Sequence, residues 1–252
     1  MFSTMGMEPF KGIDPTSVEG LGDLRYDIPL DVSYHWTEAG LQVSYWRAVG
    51  YTQNTFFAES FVDELAVAGG KDPVELRRRM LTKSPRLLNV LNLAADKAGW
   101  GKPLPAGRAR GIAVVNNVGS FTAQVAEVSV DRGNKGKVTV HRVVSVTDCG
   151  HVVNPAIIEQ QIRSAVVYGL SAALKGEITV KNGRVEQTNF HQYDVLRIDE
   201  TPNVEVHIVP STEAPGGIGE AGVPALAPAV MNAIFAATGK RLRKLPVREQ
   251  LA

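Results

Sequence analysis

One carboxylate near the C-terminus stands where acid–base chemistry is feasible. Glu220 follows the glycine-rich run of residues 216–219 and precedes an Ala-rich stretch, residues 225–238. Glycines allow unusual backbone conformations and let a ligand come close to the main chain. Pro224 and Pro228 suit the start of a helix whose amides can face an anionic group. We therefore take Glu220 as the candidate proton acceptor, and a glycine hinge with Glu220 as a first-turn helix charge is the alternative.

Two further segments carry polar side chains suited to holding a ligand. The run Trp46-Arg47-Ala48-Val49-Gly50 offers a guanidinium that could donate in a planar fork to oxo or phosphate groups. An Arg beside a Trp is also typical of a surface stacking pair. Gln161 follows the run Asp148–Pro155, and its amide can donate and accept together. The alternative for Gln161 is a solvated helix face, because Asn154-Pro155 is by itself an ordinary helix start.

Together these segments resemble the signatures of the molybdenum hydroxylases, the xanthine dehydrogenase and aldehyde oxidase family. The closest resemblance is to the C-terminal molybdopterin-binding part of isoquinoline 1-oxidoreductase-like large (beta) subunits, over roughly residues 14–247. It implies Glu220 as general base and Val49 as a substrate-pocket wall. The residues that it places at the cofactor are Trp46, Arg47, Ala48, Gln161 and Gly219. Arg163-Ser164 departs from the family pattern, in which an acidic residue and a glycine are expected.

The activity implied by this resemblance is oxidation of an N-heterocycle or an aldehyde with a water-derived oxygen. The implied cofactor is molybdenum-molybdopterin, alone or as a dinucleotide, shared with segments on a partner, because the Met-Gly-Gln-Gly-type loop and the Phe-Gly-Gly turn of the family do not occur here. Cys149 is the only cysteine, so a [2Fe-2S] centre is expected on a separate iron–sulfur subunit. Two alternatives stay open: a non-catalytic fragment or assembly domain that binds only a partner subunit, and a generic α+β enzyme whose Gly-rich turn holds a phosphate.

The composition indicates a globular protein without a nucleic-acid partner. Of 252 residues, 44% are hydrophobic and 21% are charged, with a formal net charge of +1. The five histidines lack metal-ligand spacing, which predicts no metal site built from protein ligands alone. No apolar run reaches membrane-spanning length and no signal peptide is visible. This absence does not fix the compartment, which stays open between the cytoplasm and, if the chain is exported with a partner, the periplasm.

Periodicity predicts a mixed α+β fold of the molybdopterin-binding type. The predicted helices cover about residues 55–69, 72–81, 84–99, 155–174 and 225–238, and the predicted strands cover 109–116, 123–130, 137–146, 177–181, 184–188 and 204–209. In the first helix, apolar side chains recur with a helical period at Phe57, Phe61, Val62, Leu65 and Ala66. Alternation in the second and third strands predicts an antiparallel pair with one buried face. A Pro/Gly linker at 101–107 divides the chain into residues 1–106, comprising an N-terminal arm, the Arg-containing loop and helices, and an α+β subdomain, residues 107–252.

Overall fold

The computed structural model describes residues 14–35, 37, 40 and 44–252, and the start of the N-terminal arm, residues 1–13, lies outside them. The helices of this part are α1 (Val49–Ala68), α2 (Pro73–Met80), α3 (Pro85–Ala98), α4 (Pro155–Leu174) and α5 (Leu226–Thr238). Its strands are β1 (Arg108–Asn117), β2 (Ser120–Asp131), β3 (Lys137–Asp148), β4 (Val180–Lys181), β5 (Arg184–Val185) and β6 (Asn203–Ile208). The predicted α+β class is confirmed. None of the described helices is both long and apolar enough to cross a membrane.

Four strands form one sheet in the order β1-β2-β3-β6. The first three pair antiparallel, as predicted for β2 and β3, whereas β6 pairs parallel to β3 from Arg142↔Asn203 onward. A separate hairpin joins β4 to β5 through Asn182 and Gly183, whose φ angles of 51° and 73° suit the turn predicted there. These two strands have only two residues each, so their predicted lengths are wrong.

Local signals at the helix ends explain why four of the helices begin and end close to their predicted bounds. The carboxylate of Asp72 and the side-chain oxygen of Asn154 accept hydrogen bonds from the first backbone N–H groups of α2 and α4. Gly99 and Gly239 end α3 and α5 in the left-handed conformation. The first helix, α1, begins six residues before its predicted start and has no side-chain cap.

Helices cover both faces of the sheet, so the prediction of a single buried face is wrong. On one face Val125 packs in a cluster with Leu91 of α3, and on the other Val128 packs with Leu170 of α4 and Ile234 of α5. In the sequence, the polar residues of these strands suggest a solvent-exposed face. In the structure that face is buried, because the polar side chains form hydrogen bonds. The helices before the predicted boundary thus share a core with the strands after it. The division at residue 106 stays a prediction.

Helix α1 distributes the apolar residues of this period over two sides, and only Val62 and Ala66 are buried. Phe57, Phe61 and Leu65 are exposed, whereas Glu59 and Asp63 are buried. The cause is the unpaired edge of β1, against which α1 lies. One oxygen of Glu59, Oε2, accepts a 3.0 Å hydrogen bond from the backbone N–H of Val114 in that strand. Because an uncovered edge presents unsatisfied backbone groups, the helix that covers it turns polar side chains inward.

Candidate functional site

Arg47 joins the three candidate segments. Its Nε donates to the carbonyl oxygen of Gly219 at 2.8 Å, and its Nη2 donates to Gln161 Oε1 at 2.9 Å. Its Nη1 donates to Ser164 Oγ at 3.1 Å. These contacts bring together the loop before α1, the first half of α4 and the Gly-rich turn. Arg47 acts here as a clamp, because most of its five N–H donors are used in fixing these neighbours.

The acceptors around Arg47 are all neutral. In the described part of the chain, its hydrogen bonds go to two backbone carbonyls, an amide and a hydroxyl, and its guanidinium forms no ion pair with a carboxylate. The side chain is half-buried, so solvent screens its charge only in part. An uncompensated guanidinium at a partly closed site favours an anionic ligand.

The backbone after Arg47 turns sharply. Ala48 and Val49 have φ angles of 71° and 44°, and a positive φ is rare for a β-branched residue such as Val49. The turn is held by the N–H of Val49, which donates to the carbonyl of Trp46 at 2.8 Å, and by Thr52 Oγ1, which donates to the carbonyl of Arg47 at 2.9 Å. Strained residues of this kind persist where the surroundings hold them, often at functional sites.

Trp46 packs against α4 rather than lying free on the surface. Its ring stacks on that of Tyr168 with centroids 4.6 Å apart, and the guanidinium of Arg47 lies 5.7 Å from the same Tyr168 ring. Ala48 is fully buried beneath this stack, and Val49 is half-buried. All three neighbours of Arg47 therefore line the junction between α1 and α4.

In the Gly-rich turn, some glycines are closely packed against neighbouring residues, whereas Gly219 is not. A Cβ at Gly217 would lie 2.9 Å from the side chain of Val118, and one at Gly222 would lie 2.8 Å from Ala165. A Cβ at Gly219 would meet no described atom within 4 Å. Gly217 and Gly222 therefore allow close packing of the chain, and the expectation that the glycines let a ligand approach the main chain stays a prediction. Gly219 faces open space beside Arg47.

The turn is anchored from both sides by its backbone. Gly216 N–H donates to the carbonyl of Cys149 at 2.8 Å, and Gly217 N–H donates to the carbonyl of Val118 at 2.7 Å. The amide of Gln124, fully buried in β2, donates to the carbonyl of Gly222 at 3.0 Å. The turn therefore presents Glu220 from a rigid frame.

The loop after β3 is tied to α3 by a buried carboxylate. Arg86 donates through Nε and Nη2 to the two oxygens of Asp148, at 2.8 and 2.6 Å. Burial acts to raise the pKa of Asp148, but the hydrogen bonds from Arg86 and from the N–H of Gly150 outweigh it, and the pKa lies below its usual range. Burial raises the pKa of the neighbouring Cys149 thiol. Asp148 therefore positions the loop and is not available for proton transfer at neutral pH.

Glu220 is half-buried, directly after the clamped carbonyl of Gly219. A second carboxylate lies in its electrostatic neighbourhood: burial raises the pKa of Glu19, the N–H of Gly50 lowers it, and the charges of Asp23 and Glu220 raise it further. Glu19 Oε2 accepts from Gly50 N–H at 3.3 Å, at the start of α1. Glu19 thus serves as the missing cap of that helix.

Sequence reasoning missed three contributors to this site: Ser164, Tyr168 and Glu19. Ser164 lies three residues after Gln161, which is the helical spacing that puts both on one face toward Arg47, so that signal was readable. Tyr168 follows at the next turn of the same face. Glu19 had no local signal, because its contact with Gly50 depends on how the N-terminal arm folds back.

The residues present fit an anionic cofactor that carries oxygen and phosphate groups. The charge of Arg47 is uncompensated among the described residues, Gly219 faces open space, and the NH₂ group of Gln161 remains a donor because Arg47 occupies its oxygen. The described residues contain no group of three or more His, Cys, Asp or Glu side chains placed to bind a metal.

Comparison with known proteins gives a consistent result. Residues 92–202 match the family model of the molybdopterin cofactor-binding domain. The chain is 33% identical to the beta chain of isoquinoline 1-oxidoreductase from Brevundimonas diminuta, over 96% of this chain and 31% of that protein. It is 35% identical to a nicotinate dehydrogenase component of Pseudomonas putida, over 82% of this chain and 19% of that protein. The chain thus spans less than a third of the length of these relatives.

The fold comparison agrees. The structure matches that of quinoline 2-oxidoreductase from Pseudomonas putida 86 with a TM-score of 0.71 and 12% sequence identity, over 82% of this chain and 52% of that chain. At this identity the likeness concerns the fold alone. It confirms that the helices and sheet are arranged as in a molybdenum-enzyme subunit of this architecture.

Proposed function

Because this chain belongs to the xanthine dehydrogenase and aldehyde oxidase family of molybdenum hydroxylases, we propose that it supplies one side of a molybdopterin-dependent active site. The reaction is the oxidation of an N-heterocycle or an aldehyde. The names of two relatives refer to isoquinoline and nicotinate, which supports an N-heterocycle as the substrate. The rest of the site comes from polypeptide corresponding to the remaining length of the relatives' subunits, and electrons leave through a separate iron–sulfur subunit.

The observation that carries this proposal is the Arg47 clamp. Arg47 contacts Gln161 and Gly219, which lie 114 and 172 residues further along the chain. A structural arginine of this exposure needs no such convergence of irregular segments, and it would normally be paired with a carboxylate. The guanidinium of Arg47 is surrounded by neutral hydrogen-bond acceptors. This arrangement is expected where a bound ligand supplies the negative charge.

When bound, the cofactor supplies the two-electron oxidation. Arg47 and the NH₂ group of Gln161 hold it by charge and hydrogen bonding, with Trp46 and Gly219 forming the surface against it. Ala48, which is fully buried, supports the turn from behind rather than contacting the cofactor. Glu220 accepts the proton of the water-derived oxygen as that oxygen attacks the substrate. Its position on the anchored turn provides the fixed geometry that general-base catalysis requires. Val49 forms part of the wall against the substrate.

A substitution at Glu220 tests this assignment. The assembly is purified through a tag on this chain, its molybdenum is measured by inductively coupled plasma mass spectrometry, and turnover is measured with a panel of N-heterocycles and aldehydes and a dye acceptor. Glu220→Gln keeps the shape of the side chain but removes the base, so we expect a loss of about hundredfold or more in kcat with unchanged molybdenum.

The matched control is Glu213→Gln, the same change at an exposed position of the same loop. It should leave turnover unaltered. Full turnover in Glu220→Gln would contradict the role of this residue. An assembly without molybdenum, despite adequate supply, would contradict the cofactor assignment and favour the non-catalytic assembly domain.

A further inference from the structure

One face of the sheet carries a buried polar patch where it meets the Gly-rich turn. The patch consists of Ser120, Thr122, Gln124, Ser145 and Thr147, and each of these residues is 0% exposed. They share one face because three of them alternate along β2, and the two from β3 lie opposite Thr122 and Gln124. Apolar side chains are the usual occupants of a covered sheet face, since a buried polar group costs free energy unless it is hydrogen-bonded. Five polar side chains buried together therefore indicate a specific role.

Two members of the patch donate to the Gly-rich turn on either side of Glu220 in the chain. Ser120 Oγ donates to the carbonyl oxygen of Gly217 at 2.7 Å, and Gln124 Nε2 donates to that of Gly222 at 3.0 Å. Both donors come from β2, in the middle of the sheet. The backbone that carries Glu220 is thus tied to the sheet before and after this residue.

Gln124 is held in turn by β3. Its Nε2 also lies 3.2 Å from Ser145 Oγ, so both N–H groups of the amide have acceptors. Its Oε1 is buried and has no hydrogen-bond partner among the described residues. Because a buried acceptor without a partner lowers stability, the stability of the core does not explain a glutamine at this position. Its contact with the turn does.

The two threonines of the patch are separate from the turn. Thr122 Oγ1 and Thr147 Oγ1 lie 3.0 Å apart and bond to each other. Within the described part of the chain, neither hydroxyl forms a hydrogen bond to the Gly-rich turn. They are as deeply buried as Ser120 and Gln124, so the patch contains its own comparison pair.

We propose that Ser120 and Gln124 are positioning residues for Glu220: they fix the Gly-rich turn to the sheet and so hold the carboxylate where it accepts a proton. The inference rests on the proposed function, in which Glu220 is the general base. Proton transfer depends on the geometry between the base and the reacting group, so a small displacement of the base lowers the rate. Neither side chain reaches the surface, so their loss should change kcat and leave KM and cofactor content alone.

A double-mutant cycle with Glu220 tests this assignment. Ser120→Ala and Gln124→Met each remove the donor and keep a side chain of similar size, and the purified assembly is assayed for turnover and molybdenum as for Glu220→Gln. We expect each to lower kcat about tenfold, with unchanged KM and molybdenum. In a Glu220→Gln background the further loss should be less than about twofold, because no base is left to misplace. Undiminished kcat, or an equal loss in both backgrounds, would overturn the proposal.

The matched control is the double variant Thr122→Val with Thr147→Val. It removes a mutually bonded pair from the same patch and replaces it with apolar side chains of the same shape, a change that is nearly neutral. Its kcat should equal that of the unaltered chain. A loss as large as that of Gln124→Met would mean that the patch affects turnover through general packing, which would contradict the assignment.

Hydrogen exchange measured by mass spectrometry on the same assemblies gives a readout that does not require turnover. In Ser120→Ala and Gln124→Met, the backbone N–H groups of residues 216–223 should exchange about tenfold faster, whereas the threonine control should leave them unchanged. Faster exchange in an assembly without molybdenum would reject the proposed activity and leave the anchoring of the turn in place. Turnover that depends on Glu220, with unchanged exchange of the turn in both variants, would do the reverse.

Discussion

Two arginines on neighbouring elements are held in opposite ways. Arg77 on α2 is completely buried, and its Nε donates to Glu59 Oε2 at 2.9 Å, with Asp63 4.0 Å away. Burial acts to lower the pKa of Arg77, but the charges of Glu59, Tyr26 and Asp63 and the hydrogen bond to Glu59 together outweigh it and raise the pKa overall. Arg47 is half-buried and its described partners are all neutral. One charge is neutralised within the fold, and the other has no counter-charge among the described residues.

This difference separates stabilisation from function. A buried ion pair must be complete, because removing one partner leaves a desolvated charge behind. The network around Glu59 is complete: Arg77, the hydroxyl of Tyr26 and the N–H of Val114 all donate to its carboxylate. The cluster around Arg47 keeps its positive charge at the surface. We expect the first to control unfolding and the second to control cofactor content.

The largest expected effect is on the buried network. Arg77→Ala leaves Glu59 buried without its counter-charge, whereas Asp63 keeps its ion pair with Arg241, so the free energy of unfolding should fall by about 3–5 kcal/mol. The thermal midpoint should fall by roughly 10 °C. Urea denaturation measures the loss, with Arg79→Ala on the exposed side of α2 as the control, which should be nearly neutral. A loss below about 1 kcal/mol would mean that the network does not stabilise the fold.

A smaller effect on stability, but a clear one on ligand content, is expected at Arg47. Arg47→Ala removes partly exposed hydrogen bonds to neutral acceptors, so unfolding should weaken by only about 1 kcal/mol. Molybdenum in the purified assembly should fall about tenfold, because the site loses its positive charge. Arg163→Ala, on the exposed side of α4, should retain both properties. If Arg47→Ala destabilised the chain as strongly as Arg77→Ala, the contrast between the two arginines would disappear.

The smallest expected effect on stability is at Asp148. Its ion pair with Arg86 is less buried than the Arg77–Glu59 pair and more buried than Arg47. Since its pKa in the folded protein lies below its ordinary value of 3.8, the ionised carboxylate stabilises the fold above about pH 4. This contribution is lost as the pH falls through the lowered pKa. Asp148→Asn should cost about 1 kcal/mol at pH 7 and progressively less below pH 4. Thermal midpoints between pH 7 and pH 3 check this, and a constant difference would exclude the ionised carboxylate as the cause.

Features that depend on near neighbours in the chain were predictable. Asp72 and Asn154 cap their helices from the adjacent position, and Gly99 and Gly239 end theirs in the same local way. The convergence of Arg47, Gln161 and Glu220 was expected from the resemblance to a family, whereas their spacing alone left surface alternatives open. Their roles in catalysis and binding stay predictions.

Features that depend on distant neighbours were not predictable. The apolar period of α1 does not tell which of its residues face inward, and only the position of the β1 edge explains why Glu59 and Asp63 do so. The parallel pairing of β6 likewise has no local signal. The left-handed turn at Ala48 and Val49 also escaped prediction, because neither residue type favours it.

The parallel addition of β6 to β3 has a consequence for the time course of synthesis. A parallel neighbour requires a long crossover, here residues 149–202, whereas β1, β2 and β3 can pair as soon as they are made. The bond between Arg47 and Gly219 spans 172 residues and lies beyond that crossover. A ribosome-bound chain can therefore complete most of its sheet before the Arg47 clamp exists, because the clamp forms only after residue 219 has been made.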